Sequence, residues 1–187
     1  LTIGTNTAGA SASKTDGFNK NQLIRIPFPK EATEMKKTLE GLGMSKQVNA
    51  FETQLNRAAE DAAKKAAPIF LDAIKKMTIT DGLTILQGKQ DEATQYLRKN
   101  TSSNLTTAFR PVINESLQKV QITSYWSPLM KKYNRIPGVK KQNPDLAGYV
   151  TQKAIDGMFV LIAQEEGKIR KDPAAQITNL LQLVFGR

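Results

Sequence analysis

Alternation of apolar and polar residues is the pattern a half-buried strand requires. In this chain it occurs in one short stretch, Leu23-Ile24-Arg25-Ile26-Pro27-Phe28-Pro29. Even there, Pro27 and Pro29 lack the N–H groups that a sheet ladder uses. The stretch therefore reads as an extended arm strapped across helices. Everything after it repeats apolar residues at three- and four-residue steps and is punctuated by helix starts and stops. The pattern predicts an all-α fold, a compact bundle of about seven to nine helices with a proline-bearing N-terminal arm. No internal repeat of roughly 20–50 residues is visible.

Residues 30–41 read as a short basic helix ending at Gly41 and Gly43. Ser45 is placed to cap the next, which runs to about residue 67 with Val48, Phe51, Leu55, Ala58, Ala59, Ala62 and Ala66 inward. Its outer side offers Arg57–Asp61, Glu60–Lys64 and Asp61–Lys65 as four-residue ion pairs. Pro68 kinks or restarts the helix. Thr78 or Thr80 caps a short helix that stops near Gly88. Asp91 opens another that ends near Asn100. Ser102 or Ser103 then opens a longer one through Leu105, Phe109, Ile113 and Leu117, kinked at Pro111. Thr123 caps a helix holding Tyr125, Trp126 and Tyr133. Asn143-Pro144 and Asp172-Pro173 each set an N-cap before a proline at the first helical position. Between Met158 and Ala163 the chain is apolar nearly all round a helix, which predicts a central position. Residues 16–187 read as a single helical domain. Residues 1–15, rich in Gly, Ala, Ser and Thr, read as a frayed helix or a tail.

Composition limits the chemistry. The 187 residues include no histidine and no cysteine, and carry a net charge of +10. Those two side chains supply most proton transfer near neutral pH, soft-metal ligation and thiol catalysis. Carboxylate, lysine, hydroxyl or tyrosine chemistry remains, or none. No apolar run approaches the ~20 residues that span a bilayer. The chain opens Leu1-Thr2-Ile3 without a charged-then-apolar leader, so either the start is trimmed or a leader has been removed.

Two constellations stand out. The first is a set of acids and arginines inside the helical blocks: Arg57, Glu60, Asp72, Arg98, Arg110, Asp156 and Glu165, with Asp81 beside them. Asp156 adjoins the most apolar stretch, where an unpaired charge would cost several kcal/mol. A carboxylate–arginine network that fixes helix register is the expected arrangement; simple exposure is the alternative. No metal or cofactor site is indicated: oxygen ligands would suit Ca²⁺, Mg²⁺ or Mn²⁺, but the twelve-residue calcium loop is missing. Ser11–Lys14 and Ser116–Lys119 match Ser-x-x-Lys without the elements that accompany it in hydrolases.

The second constellation is basic. From Ser116 to Pro144 the chain has Lys119, Lys131, Lys132, Arg135, Lys140 and Lys141 and no acid, with Tyr125, Trp126 and Tyr133 interleaved. Cations beside aromatic faces suit an anionic partner. Equally, the aromatics cap the core and the lysines form a solvated face.

Several blocks resemble a bacterial family: Asn56-Arg57-Ala58-Ala59-Glu60, Ile69-Phe70-Leu71-Asp72-Ala73-Ile74, Met77-Thr78-Ile79-Thr80-Asp81, Ala93-Thr94-Gln95-Tyr96-Leu97-Arg98, Phe109-Arg110-Pro111, Lys132-Tyr133-Asn134, Tyr149-Val150-Thr151, Ala154-Ile155-Asp156-Gly157 and Ala163-Gln164-Glu165-Glu166. The family is catalogued as domain of unknown function 4197, and the resemblance runs from about Asp16 to Phe185. It implies an exported protein of the periplasm or an inner face of the envelope, often with a lipoprotein-type leader. It implies no activity, cofactor or catalytic residue. The reading that follows is a binding or scaffold domain whose basic surface meets anionic lipid headgroups, lipopolysaccharide or an acidic protein. The alternatives are a carboxylate-based, metal-assisted hydrolase centred on Asp72, Asp156 or Glu165, and a nucleic-acid-binding helical domain. For a periplasmic protein, nucleic acid is a poor partner.

Overall fold

The structure, a computed structural model, describes residues 1–41, 43–119, 126, 131, 134–135, 137–138 and 145–171. Among them are seven α-helices and no strand: α1 (Thr2–Ser13), α2 (Thr33–Gly41, preceded by a 3₁₀ turn, Lys30–Ala32), α3 (Ser45–Ala63), α4 (Ala66–Lys75), α5 (Ile79–Gln87), α6 (Glu92–Lys119) and α7 (Leu146–Lys171). The helical starts expected at Thr123, Asn143-Pro144 and Asp172-Pro173 lie outside the described residues.

The long helix α6 organises the packing. It lies against α3, α4, α5 and α7, and α7 in turn meets α1 and α3. Along α6, Leu97, Thr101, Leu105, Phe109, Ile113 and Leu117 are fully buried at every fourth position. Such a row forms the ridge that seats in a neighbour's groove, each large side chain contributing roughly 1.5–3 kcal/mol. The expected break between Asn100 and Ser103 does not occur. The cap-forming side chains turn back on their own helix: Asn100 bonds the Tyr96 carbonyl, Thr101 that of Leu97 and Ser102 that of Arg98. Residues of this type compete for backbone groups, and here the winning partner is four residues back. Pro111 sits inside the same helix.

Elsewhere the sequence signals are followed with small shifts. Helix α3 begins at Ser45 after Met44, with no side-chain cap, and stops at Ala63 rather than 67. The Lys65 N–H then bonds the Ala62 carbonyl, and α4 starts at Ala66. Pro68 thus falls in a first turn, where its missing N–H costs nothing. Of the two candidate threonines, Thr78 caps α5, and Asp81 closes a capping box with it. At the start of α7, the Gly148 N–H donates to the Asp145 carboxylate at 2.9 Å. Of residues 1–15, Thr2–Ser13 form a helix. Helix α1 packs Gly4, Thr5, Ala8, Gly9 and Ala12 inward against α3, α4 and α7.

The arm runs as expected, with Ile24, Ile26 and Phe28 buried. It reaches α7 closely at Gly157, where an added Cβ would stand 2.8 Å from Phe18 and 3.1 Å from Ile24. Only glycine leaves room for that contact.

Candidate functional site

The basic stretch is partly within the described residues. Lys119, Trp126, Lys131 and Arg135 are; Tyr125, Lys132, Tyr133, Lys140 and Lys141 are not. Lys119 is exposed and pairs with Glu115 at 2.8 Å, so the acid just before the stretch neutralises its first cation. The hydrogen bond between them pushes the lysine pKa up and the glutamate down. Lys131 and Arg135 are exposed. Trp126 is a correction to the expected binding surface: it is 5% exposed and sits in the core. Its ring stacks on Phe51 (5.5 Å, 27°) and meets Phe28 edge-on (5.8 Å). Its Nε1 is buried with no hydrogen-bond partner among the described residues. The tryptophan therefore packs on α3 and the arm rather than presenting its ring to a partner.

The acids and arginines do not form one network. The buried part is a polar row on α3, where Glu52, Asn56 and Glu60 follow at four-residue steps among the apolar positions. The row clamps the arm. Asn56 accepts from the Ile26 N–H (2.8 Å) and donates to the Ile26 carbonyl (2.9 Å), as a neighbouring strand would. Glu60 accepts from the N–H groups of Phe18 and Asn19, both at 3.1 Å. Glu52 takes Arg25 at 2.8 Å and Lys36 at 2.6 Å. Arg57 bridges Glu60 and Asp16, each at 2.7 Å. The Glu60 partner thus lies three residues back, and Asp61 likewise takes Lys64 at that spacing, rather than the expected four.

Asp16 lies in the turn after α1, in the left-handed region at φ 65°. Its carboxyl is held at about 2, first by the Lys20 ammonium, then by the Asn19 amide and Arg57.

The remaining members stand apart. Asp156 pairs with Arg98 at 2.9 Å, but the two side chains are 42% and 39% exposed, so the pair is half in water rather than buried. The Arg98 guanidinium lies 4.5 Å over the Phe159 ring. Arg110 pairs with Asp145 at 2.6 Å, Asp72 with Lys76 at 2.7 Å and Glu165 with Lys168 at 2.6 Å. Asp72 is exposed and belongs to no core network.

The acid that does the most is Glu166, beside the expected Glu165. Buried on α7, it accepts from the N–H groups of Ala93 (3.0 Å) and Thr94 (2.8 Å) and from the Thr94 hydroxyl (2.8 Å). It caps α6 from across the fold and pairs with Arg170 at 2.9 Å. Sequence spacing does not reveal a cap from 72 residues away. The row on α3 did leave a signal, its polar residues being in register with the apolar ones.

One polar cleft of about 350 Å³ brings Asp72 and Asp81 together, with Lys76, Tyr96 and Lys99. Its acids are engaged, Asp72 by Lys76 and Asp81 by the Thr78 N–H and hydroxyl. The same Thr78 bonds lower the Asp81 pKa. Partial burial, then the Asp81 charge, pushes the Tyr96 phenol up, away from neutrality. This cleft can hydrogen-bond a small polar molecule. It does not gather Asp72, Asp156 and Glu165, and among the described residues no three acids come together as a metal site.

Fold and site define an all-helical bundle in which the buried acids Glu52, Glu60 and Glu166 fasten one segment to another, while most exposed acids pair within their own helix or turn. The chain belongs to the family described as Protein of unknown function (DUF4197), whose model matches residues 1–186. The match thus takes in α1, beyond the span expected from about Asp16. No curated protein and no solved structure matches the chain.

Proposed function

We propose that this protein is a non-enzymatic binding or scaffold component of the bacterial envelope, and that the stretch from Ser116 to Pro144 receives an anionic partner. One observation carries the reading: six cations and no acid fall in that stretch, while most of the acids elsewhere are held in pairs and caps. The net +10 is therefore uneven along the chain, with six cations in the stretch, of which Lys119 is paired with Glu115 just before it. Trp126 is buried, and Lys131 and Arg135 face solvent. No helix among the described residues is long and apolar enough to cross a membrane; for the cationic stretch, an anionic lipid headgroup is the matching part of a lipid. Lipopolysaccharide or an acidic protein surface offers the same charge.

The test is co-sedimentation with phosphatidylglycerol vesicles at low salt. The wild type is expected to bind, and the K131E/K132E/R135E variant to lose most of that binding. Equal binding by a folded triple variant would mean the stretch is ordinary surface. The envelope location is checked by fractionating cells that make the full-length protein. Recovery in the cytosol alone would remove that part of the reading and reopen nucleic acid as the anion.

A further inference from the structure

We infer that a cavity beside α5 is a binding site for a single hydrocarbon chain of about ten carbons, as carried by a fatty acid or a lipid. The cavity measures about 250 Å³ and is part-open to solvent. Its wall combines Met77, Gly82, Ile85 and Leu86, from α5 and the turn before it, with Ile162 and Ile169 of α7, and is completed by Leu1 and Gly4 at the start of α1 and Ala93 of α6. The charged side chains in its wall, Glu166 and Arg170, are engaged with each other, and Arg170 also donates to the Ile85 carbonyl at 2.6 Å. Apolar cavities take apolar ligands; an enclosed one of about 150 Å³ holds a six-carbon ring. Scaling by volume gives about ten carbons.

A second observation points to the same ligand. Helix α5 packs chiefly on α6 and turns Ile79, Leu83 and Leu86 outward, at 85%, 52% and 45% exposure. Their spacing puts them in one stripe. A lone exposed leucine is ordinary. This stripe is continuous with the cavity, because Leu86 belongs to both. Apolar surface thus runs without a break from the outer side of α5 to the cavity wall. The inference uses no residue of the cationic stretch and fails or holds separately from the reading above.

The test labels the methionine methyl groups with ¹³C and titrates the whole protein with fatty acids. Decanoate is expected to shift the Met77 methyl saturably and leave Met35 and Met44 in place. Affinity should rise about fourfold per methylene from hexanoate to decanoate, then level off. Gly82→Leu fills the cavity: an added Cβ there meets no atom within 4 Å, and leucine suits a helix better than glycine. That variant is expected to bind decanoate about tenfold more weakly or worse. Phosphatidylcholine vesicles separate the sources. A Met77 shift with vesicles assigns the chain to a bilayer lipid, and one with decanoate alone assigns it to a free fatty acid. A Met77 methyl unmoved by either ligand overturns the inference, as does a folded Gly82→Leu variant of unchanged affinity.

Discussion

Asn56 shows what a single side chain does here. Its amide completes both backbone bonds of Ile26 inside a buried setting. Asn56→Ala leaves that donor and acceptor without partners, so urea unfolding should show a loss of about 3 kcal/mol. A loss under about 1 kcal/mol would mean water replaces the amide without strain. Asp16 gives a pH signature. Its folded pKa of about 2 lies below the usual 3.8, so the ionised form is the one the fold favours. Its contribution is whole above about pH 4 and is lost as pH falls toward 2. Carboxyl NMR should place its midpoint near 2. Asp16→Asn, which also tolerates the left-handed turn, should flatten that part of the acid-unfolding curve. Sequence reading named Arg57 and Glu60 but paired them with Asp61 and Lys64, and it missed Asn56 and Asp16, because an amide and a turn aspartate acquire meaning only when the arm is laid across α3. Trp126 was ambiguous for a different reason: an aromatic among lysines fits a core and a binding face equally well.

At the level of elements, periodicity made most of the helices legible, along with the arm and the restart before Pro68. The continuity of α6 was not legible, since Asn100, Thr101 and Ser102 are the residues that cap helices as well as those that bond back along them. Two caps carry expectations of different size. Thr78→Ala removes a local capping box on an exposed turn and should cost about 1 kcal/mol. Glu166→Ala removes the cap of α6, leaving the Ala93 and Thr94 N–H groups without it, and breaks the ion pair to Arg170, and should cost about 3–5 kcal/mol. Glu166→Gln, which fills the space and still accepts through one oxygen, should cost less. Thermal unfolding of the three variants checks the order. If Thr78→Ala proved the most costly, the cross-fold cap would not be holding α6 to α7.

For the whole molecule, the central claim is a division of labour by charge. Buried acids hold the arm, α6 and α7 together, and the proposed role of the acid-free stretch from Ser116 to Pro144 is to meet an anion. The all-helical class followed from the sequence, and so did the family. The candidate hydrocarbon cavity did not, because it is assembled from α5 and α7, far apart in the chain. Amine footprinting on phosphatidylglycerol vesicles tests the division most directly, since it reads each lysine separately. Lys131, Lys132, Lys140 and Lys141 should be protected when vesicles are bound, with Lys14, Lys46 and Lys153 as reactive as in free protein. Protection spread evenly over all seven lysines, or confined to the last three, would contradict it.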